Sequence, residues 1–172
     1  RGLGDLYKRQ QLLSVLYYIY CSEMWNQLDA LTGLLNQNSY LNRTAEMRRS
    51  GGVLVVFDVD DFKQINDRYG HLQGDVCLAE IANCIKKAYA RCGYCYRIGG
   101  DEFACLVPCS DETMSRDLYR TLHSAFDIFN RTSEKAYNIT VSTGFYLLPK
   151  DMDSTLPEML AHADAMLYEE KQ

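Results

Sequence analysis

The sequence predicts an α+β fold in which helices flank a mixed, mainly antiparallel central sheet, closer to a ferredoxin-like palm than to a doubly wound parallel sheet. One observation is the predicted order of elements after an N-terminal helix: strand, helix, helix, strand, strand, helix, strand, helix. A second is a central hairpin, which pairs two strands antiparallel. A third is composition, because 172 residues with 47% hydrophobic and 24% charged residues suit one globular domain. We expect that domain over residues 29–172, after a helical stalk over residues 1–28.

The N-terminal segment has apolar residues at steps of three and four over residues 3–28, which predicts an amphipathic helix. Two roles stay open: packing on the domain, or a stalk that links it to an upstream sensor or a twin chain. Heptads are not sustained, so a coiled coil is only one option. We expect the aromatic side chains of the segment to pack, namely Tyr7, Tyr17, Tyr18, Tyr20 and Trp25.

The first strand is predicted at residues 52–60, where GVLVVFDVD is rich in β-branched residues and ends in acids. A polar helical turn is expected to begin near Phe62. A longer helix is expected after Gly74, where Asp75 has two open roles: it could cap the helix, bind a ligand, or do both.

The hairpin is predicted at RIGGDEFACLV, residues 97–107, where Gly99 and Gly100 precede Asp101 and Glu102 between two apolar runs. A plain turn explains the glycines and the aspartate. The alternative is a metal or phosphate site, because a turn without Cβ atoms lets a ligand approach the backbone while two acids face it.

The last third of the chain alternates helix, strand and helix. Asp111 and Glu112 suit a first helical turn, and an apolar stripe follows them. Residues 137–148 alternate as a strand. Thr155 and Glu158 have the spacing of a capping box and open a final helix.

Net charge limits the kinds of partner that we expect, and cysteine content indicates the redox compartment. The formal net charge of −5 argues against nucleic acid or an anionic membrane as the main partner, and an anionic substrate would need a cation with it. Seven cysteines, an odd number, suit free thiols in a reducing compartment. Cys92, Cys95, Cys105 and Cys109 leave zinc as an alternative, but their spacing favours thiols.

No apolar run is long enough to span a membrane, and no signal peptide is recognisable. Because the chain begins at Arg1, we expect a piece of a longer protein. The expected setting is the cytoplasm, with an anchor outside this chain as an alternative.

Two pairs of acids suggest a metal site. Asp58 and Asp60 end the first strand, and Asp101 and Glu102 occupy the hairpin. If that strand lies beside the hairpin, these acids can share a Mg²⁺ ion, which prefers oxygen ligands and substrate phosphates. Lys63 would offer a point charge to a phosphate.

Guanine could be recognised by Asn66 and Asp75. An amide both donates and accepts hydrogen bonds, and a carboxylate accepts from the guanine N1 and N2 groups.

These residues resemble the GGDEF domain of diguanylate cyclases. The resemblance covers about residues 29–171 and includes the signature Gly99 to Phe103. Four further motifs occur in order: DxLTxLxN from Asp29 to Asn36, DxDxFKxxND from Asp58 to Asp67, GHxxGD from Gly70 to Asp75, and SxG at Ser142 and Gly144. A closing ADxAxYxxK is similar to Ala163 to Lys171, with one extra residue before Tyr168.

The resemblance implies a nucleotidyl cyclase-like palm that joins two GTP molecules into cyclic di-GMP and releases pyrophosphate. It implies Mg²⁺, or Mn²⁺ as an alternative, on Asp58, the Val59 carbonyl and Asp101. Glu102 would hold a second metal or help to deprotonate the attacking 3′-hydroxyl. The remaining implied ligand-binding residues are Lys63 and Lys171 for phosphates, Asn66 and Asp75 for guanine, and Phe62, Gly99 and Gly100 around the nucleotide.

Because each 3′-hydroxyl attacks the other nucleotide, the family reaction requires a homodimer with one GTP in each facing domain. A silent GTP-binding regulatory module and a cyclase that accepts ATP are the alternatives. The acids of the signature speak against the first, and Asp75 speaks against the second.

Three departures from the family pattern stand out: Gln37 replaces an arginine, the inhibitory RxxD is absent because Ala90 and Gly93 occupy its positions, and an arginine expected four residues beyond Lys171 lies past the end of the chain. Asp29 and Arg97 are expected to form a structural salt bridge, and His71 to be structural.

Overall fold

A computed structural model describes residues 2–108 and 112–148 of the chain. The predicted final helix and Lys171 lie outside these residues. In chain order the elements are α1 (Gly2–Trp25), α2 (Gln37–Ser50), β1 (Gly52–Val59), α3 (Phe62–Tyr69), α4 (His71–Tyr89), β2 (Tyr94–Arg97), β3 (Glu102–Val107), α5 (Glu112–Thr132) and β4 (Val141–Leu148).

The four described strands form one sheet in the order β2-β3-β1-β4, and all three strand pairings are antiparallel. An isolated parallel bridge joins Leu35 to Tyr96 at the β2 edge. The predicted α+β architecture, with an N-terminal helix and a mainly antiparallel sheet, is therefore confirmed. The central strand β1 is buried along almost its whole length, which explains why its sequence is a nearly continuous β-branched run.

The two faces of β1 belong to two cores. Val53, Val55 and Phe57 face the side of α4 and α5, where they join one buried cluster. Leu54 and Val56 face the opposite side, with Tyr40 and Met47 of α2. Successive side chains point to opposite faces of a strand, so one strand organises a three-layer domain.

Helix α2 was not predicted from the sequence. Its segment is mostly polar, and only Tyr40 and Met47 among its described side chains are buried. The helix has clear end signals: the Asn36 side chain accepts a hydrogen bond from the Ser39 N–H at 3.1 Å, and Gly51 ends it at φ 75°. Such capping residues were the signal that could have revealed it.

Two predicted boundaries were wrong. The long helix begins at His71, not after Gly74, because Gly70 turns the chain at φ 85° between α3 and α4. The last described strand begins at Val141, not at residue 137. Before it, the Ile139 backbone exchanges two 2.8 Å hydrogen bonds with the Asn130 side chain of α5, so this segment binds a helix instead of extending the sheet.

Helix α1 is confirmed, but the expectation that its aromatic residues pack is wrong for the single chain. Tyr17, Tyr18 and Trp25 are 70%, 74% and 75% exposed, and Tyr7 and Tyr20 are exposed as well. Leu12, Leu13 and Leu16 are also exposed. Across residues 2–108 and 112–148, no helix has the length and apolarity needed to cross a membrane.

Candidate active site

The acids of β1 and of the hairpin meet at one end of the sheet. Asp58 lies directly opposite Glu102 in the antiparallel register. One residue further, the Val59 N–H donates a hydrogen bond to the Asp101 carbonyl at 3.3 Å. Residues opposite each other in an antiparallel pair have Cα atoms roughly 4.5–5.5 Å apart. The predicted proximity of the two acidic motifs is therefore confirmed.

The turn comprises residues 98–101. Glu102 was predicted to lie in the turn, but it is the first residue of β3. The Ile98 N–H closes the turn by donating to the Glu102 carbonyl at 3.0 Å. A Cβ added at Gly99 would lie 2.5 Å from Glu102 Oε2, whereas one at Gly100 would meet nothing within 4 Å. Gly99 thus leaves space for the Glu102 carboxylate, and Gly100 leaves an open side from which a ligand could approach the backbone.

The Arg97 side chain stabilises the turn through hydrogen bonds to its backbone. Its guanidinium donates to the Gly100 carbonyl, with Nη2 at 2.7 Å and Nε at 3.1 Å. Its Nη1 also forms an ion pair with Asp29 Oδ1 at 3.2 Å. This confirms the predicted structural salt bridge and shows its purpose: it links the start of the domain to the acidic turn.

Asp29 is a half-buried carboxylate with strong partners. Burial alone would raise its pKa, but hydrogen bonds from the Thr32 hydroxyl at 2.7 Å and the Thr32 N–H at 2.9 Å, together with Arg97, lower the pKa below its usual value. The charged form of Asp29 is therefore the one that the fold stabilises.

Asp60 is held by the neighbouring strand. The Ser142 hydroxyl of β4 donates to Asp60 Oδ1 at 2.6 Å, and the Asp60 N–H donates to the Thr140 carbonyl at 3.1 Å. This contact was not predicted from the sequence, although both residues belong to motifs recognised there. The alignment of Ser142 opposite Asp58 in the sheet could not be read without the β1–β4 pairing.

The connection from β1 to α3 places Lys63 in the first turn of a helix that starts immediately after the acids. Asp61 adopts the left-handed conformation, with φ 55° and ψ 25°, and accepts a hydrogen bond from Gln64 Nε2 at 2.6 Å. It is the only described non-glycine residue with positive φ. Phe62 is half-buried, whereas Lys63 is exposed and extends into solvent at this end of the sheet.

The two predicted guanine-binding residues lie on adjacent helices. Gly74 is buried in α4, and a Cβ added there would collide with Asn66 Oδ1 of α3 and lie 3.3 Å from the Phe62 ring. The glycine therefore lets Asn66 lie against the α4 backbone, one residue before Asp75. Asp75 is exposed and sits in the second turn of α4, so the interpretation of Asp75 as a helix cap is wrong.

The oxygen-rich strand ends suit a hard cation. In the described part of the chain, no three His, Cys, Asp or Glu side chains already converge as a metal-binding group. Mg²⁺ does not need such a group, because it is usually held by one or two carboxylates, waters and substrate phosphates. Asp58, Glu102 and Asp101, with the nearby Val59 carbonyl, provide that kind of donor set.

A family model described as "Diguanylate cyclase, GGDEF domain" matches residues 26–172. The chain is 40% identical over 104 residues to the diguanylate cyclase DgcS of Shewanella oneidensis, which covers 57% of this chain and 35% of that relative. It is 29% identical over 149 residues to the diguanylate cyclase VdcA of Vibrio cholerae, covering 83% of this chain and 43% of that relative. The chain thus spans less than half the length of either relative.

Solved structures give the same result. The coiled coil and GGDEF domain of DgcB from Caulobacter crescentus, in complex with c-di-GMP, matches with a TM-score of 0.77 and 26% identity, over 99% of this chain and 95% of that one. Diguanylate cyclase SiaD from Pseudomonas aeruginosa, in complex with its activator SiaC, matches with a TM-score of 0.79 and 26% identity, over 98% of this chain and 68% of that one.

Proposed function

The chain belongs to the GGDEF domain family of diguanylate cyclases, and from that premise we propose that it condenses two GTP molecules into cyclic di-GMP and two pyrophosphates. The observation that carries the proposal is the alignment of Asp58 with Glu102 at adjoining strand ends, with Asp101 bonded to Val59. A regulatory domain that has lost activity would have no need to keep this set of acids together.

Asp58, Asp101, Glu102 and the Val59 carbonyl would hold Mg²⁺, with Mn²⁺ as an alternative. The bound metal would supply positive charge at the α-phosphate. As an alternative role, the Glu102 carboxylate would accept the proton of the attacking 3′-hydroxyl, since Glu102 is exposed and its carboxylate lies beside Gly99 of the turn.

Lys63 would bind the β- and γ-phosphates from the first turn of α3, where the N-terminal end of the helix adds to the attraction for anions. Lys171 remains a predicted phosphate ligand outside the described residues. Gly99 and Gly100 would allow the nucleotide to lie against the turn. Phe62 would contact the nucleotide.

Asn66 and Asp75 would read guanine. Asn66 Oδ1 lies against α4 at Gly74, and Asp75 is the next residue of that helix, an arrangement that would let one amide and one carboxylate contact the same base. A carboxylate accepts hydrogen bonds from the N1 and N2 groups of guanine, which adenine lacks. We therefore expect GTP to be used in preference to ATP.

The reaction requires a second copy of the domain, because the two 3′-hydroxyls attack each other's α-phosphate. Helix α1 is suited to pair two copies: Leu13, Leu16 and Tyr20 follow an i, i+3, i+7 pattern and are all exposed in the single chain. The coiled coil in the DgcB structure supports this pairing. An upstream sensor would then act by changing how two α1 helices meet, in a cytoplasmic setting.

The test is incubation of the purified chain with GTP and Mg²⁺, with products separated by chromatography. We expect cyclic di-GMP from the parent protein and none from a variant with Asp101→Ala and Glu102→Ala. Asp117→Asn, an exposed position on α5, is the matched control that should keep activity.

The alternative, a catalytically silent module that binds GTP, is favoured if the parent binds GTP but yields no product. That result would count only if a fused leucine-zipper dimer of the chain also fails, since a dilute fragment could lack its partner copy.

A further inference from the structure

Two buried cysteines face each other below the acidic turn. Cys95 on β2 lies directly opposite Cys105 on β3, and both thiols are free. Their side chains are on the same side of the sheet, in the cluster that contains Ile85 and Tyr89 of α4. Cys105 has no exposed surface, and Cys95 retains 7%.

The backbone hydrogen bonds show which kind of cross-strand pair this is. The Cys95 carbonyl accepts from the Leu35 N–H at 3.1 Å, and the Arg97 N–H donates to the Leu35 carbonyl at 2.9 Å. The polar backbone groups at Cys95 therefore point away from β3, which makes Cys95 and Cys105 a non-hydrogen-bonded pair. Such pairs have Cα atoms about 4.5 Å apart and close side chains, within the roughly 4.4–6.8 Å that a disulfide spans.

The two thiols are close enough to influence each other's pKa. A hydrogen bond from the Cys105 thiol lowers the pKa of Cys95, whereas burial raises the pKa of Cys105. Two further buried thiols, Cys77 and Cys84, lie on α4. Burial raises the pKa of Cys77 to about 11 and also raises the pKa of Cys84. Cys95 is thus the more nucleophilic member of the pair.

We propose that Cys95 and Cys105 are a dithiol site that hydrogen peroxide converts into a cross-strand disulfide. The Cys95 sulfur attacks one peroxide oxygen, the O–O bond breaks, and the hydroxide that leaves becomes water on protonation. The Cys105 sulfur then attacks the Cys95 sulfenic acid, the S–O bond breaks, and a second water leaves. Two thiols lose two electrons in total, and one peroxide is reduced to two waters.

The disulfide would join the two strands that flank the acidic turn of the candidate active site. β2 ends and β3 begins at the turn that carries Asp101, and Glu102 is the first residue of β3. The proposal concerns thiol chemistry alone and does not depend on cyclase activity.

The test is peptide mapping of the native protein after treatment with hydrogen peroxide, alkylation of the remaining thiols and digestion with trypsin without reductant. Trypsin separates residues 92–97, with Cys92 and Cys95, from residues 98–116, with Cys105 and Cys109. We expect these two peptides joined, two hydrogen atoms lighter than their sum, and separated again by dithiothreitol.

Variants assign the bond. A double variant, Cys92→Ala with Cys109→Ala, should keep the linked peptides, and so should Cys77→Ala. Cys95→Ala and Cys105→Ala should each lose them. Separate peptides in the oxidised native protein, or loss of the link in the double variant, would overturn the proposal; the double variant leaves the buried pair intact, so misfolding of Cys105→Ala cannot obscure the answer.

Discussion

The strand-end site and helix α1 are both rich in functional features, but they are held in different ways. Asp58 and Glu102 are positioned by the pairing of β1 with β3. The residue pairs that precede them, starting with Val53 and Val107, are buried and hold the register. Leu12, Leu13 and Leu16 of α1 are instead exposed, as are most of the other described apolar residues of that helix. A single chain is therefore sufficient to place the acids, whereas it leaves the described apolar side chains of α1 largely exposed, and the proposed pairing of two copies would cover them. Substitutions in the two regions should therefore differ in their dependence on protein concentration.

Removing a core neighbour of the site should have the largest effect. Phe57 is 1% exposed and meets Tyr89 edge-on, with ring centroids 5.6 Å apart. We expect Phe57→Ala to lower the free energy of unfolding by about 3–5 kcal/mol, from lost burial plus the cavity it leaves. Urea unfolding should give this value at every protein concentration. Tyr17→Ala on α1 removes a similar volume from an exposed position, and an equal loss there would contradict the comparison.

Neutralising one acid of the site should lower activity without unfolding the domain. For Asp58→Asn we expect a loss of about 10²–10³ in kcat, the usual cost of removing one group that stabilises charge developing in the reaction. The measurement is the rate of cyclic di-GMP formation, with urea unfolding to verify the fold and Asp117→Asn as control. Activity within a factor of about two of the parent would exclude Asp58 from the site, since that difference is far below the expected loss.

Charging the surface of α1 should weaken association and leave the domain intact. For Leu13→Glu with Leu16→Glu we expect the dimer dissociation constant to rise roughly tenfold or more, equivalent to about 1.4 kcal/mol, because like charges would meet across the paired helices. Sedimentation velocity would measure it. Gln11→Glu adds one negative charge, against two in the double variant, away from the Leu13–Leu16–Tyr20 stripe and should change little. An unchanged dissociation constant in the double variant would show that another surface pairs the copies.

The Asp29–Arg97 ion pair should give a small effect that depends on pH. The folded state lowers the pKa of Asp29, so its contribution is present above the unfolded value of about 3.9 and is lost as the pH falls through the folded value. We expect Asp29→Asn to cost about 1 kcal/mol at neutral pH, with the difference from the parent shrinking as the pH falls below the unfolded value of about 3.9. Unfolding by urea across this pH range measures it, and a difference that stays constant with pH would contradict the assignment.

The sequence was sufficient to predict the parts of the site that rest on local patterns. β1 was visible because it is buried on both faces, and the hairpin because its glycines and acids interrupt two apolar runs. Once these two elements pair, Asp58 must lie near Glu102. The contacts that depend on three-dimensional neighbours were not predictable: Ser142 with Asp60, Gly99 with the Glu102 carboxylate, and Gly74 with Asn66.

The errors in prediction have a common physical origin. Helix α2 was missed because the few buried residues among its described side chains give no clear period, so only its end caps could have revealed it. The aromatic residues of α1 were expected to pack, but they are exposed in the single chain; an apolar pattern indicates only that a surface is buried somewhere and does not specify the partner. Both errors arise where tertiary or quaternary contacts, rather than local preference, determine the structure.

The most direct test of a metal site formed by the acids of β1 and the hairpin is to measure Mn²⁺ binding by electron paramagnetic resonance. Mn²⁺ is titrated into the protein in the presence and absence of GTP. We expect the parent protein to immobilise Mn²⁺ only when GTP is present, Asp58→Asn and Asp101→Ala each to abolish the bound signal, and Asp117→Asn to retain it. If both site variants bound Mn²⁺ and GTP as tightly as the parent, the aligned acids of β1 and the hairpin would not be the metal site.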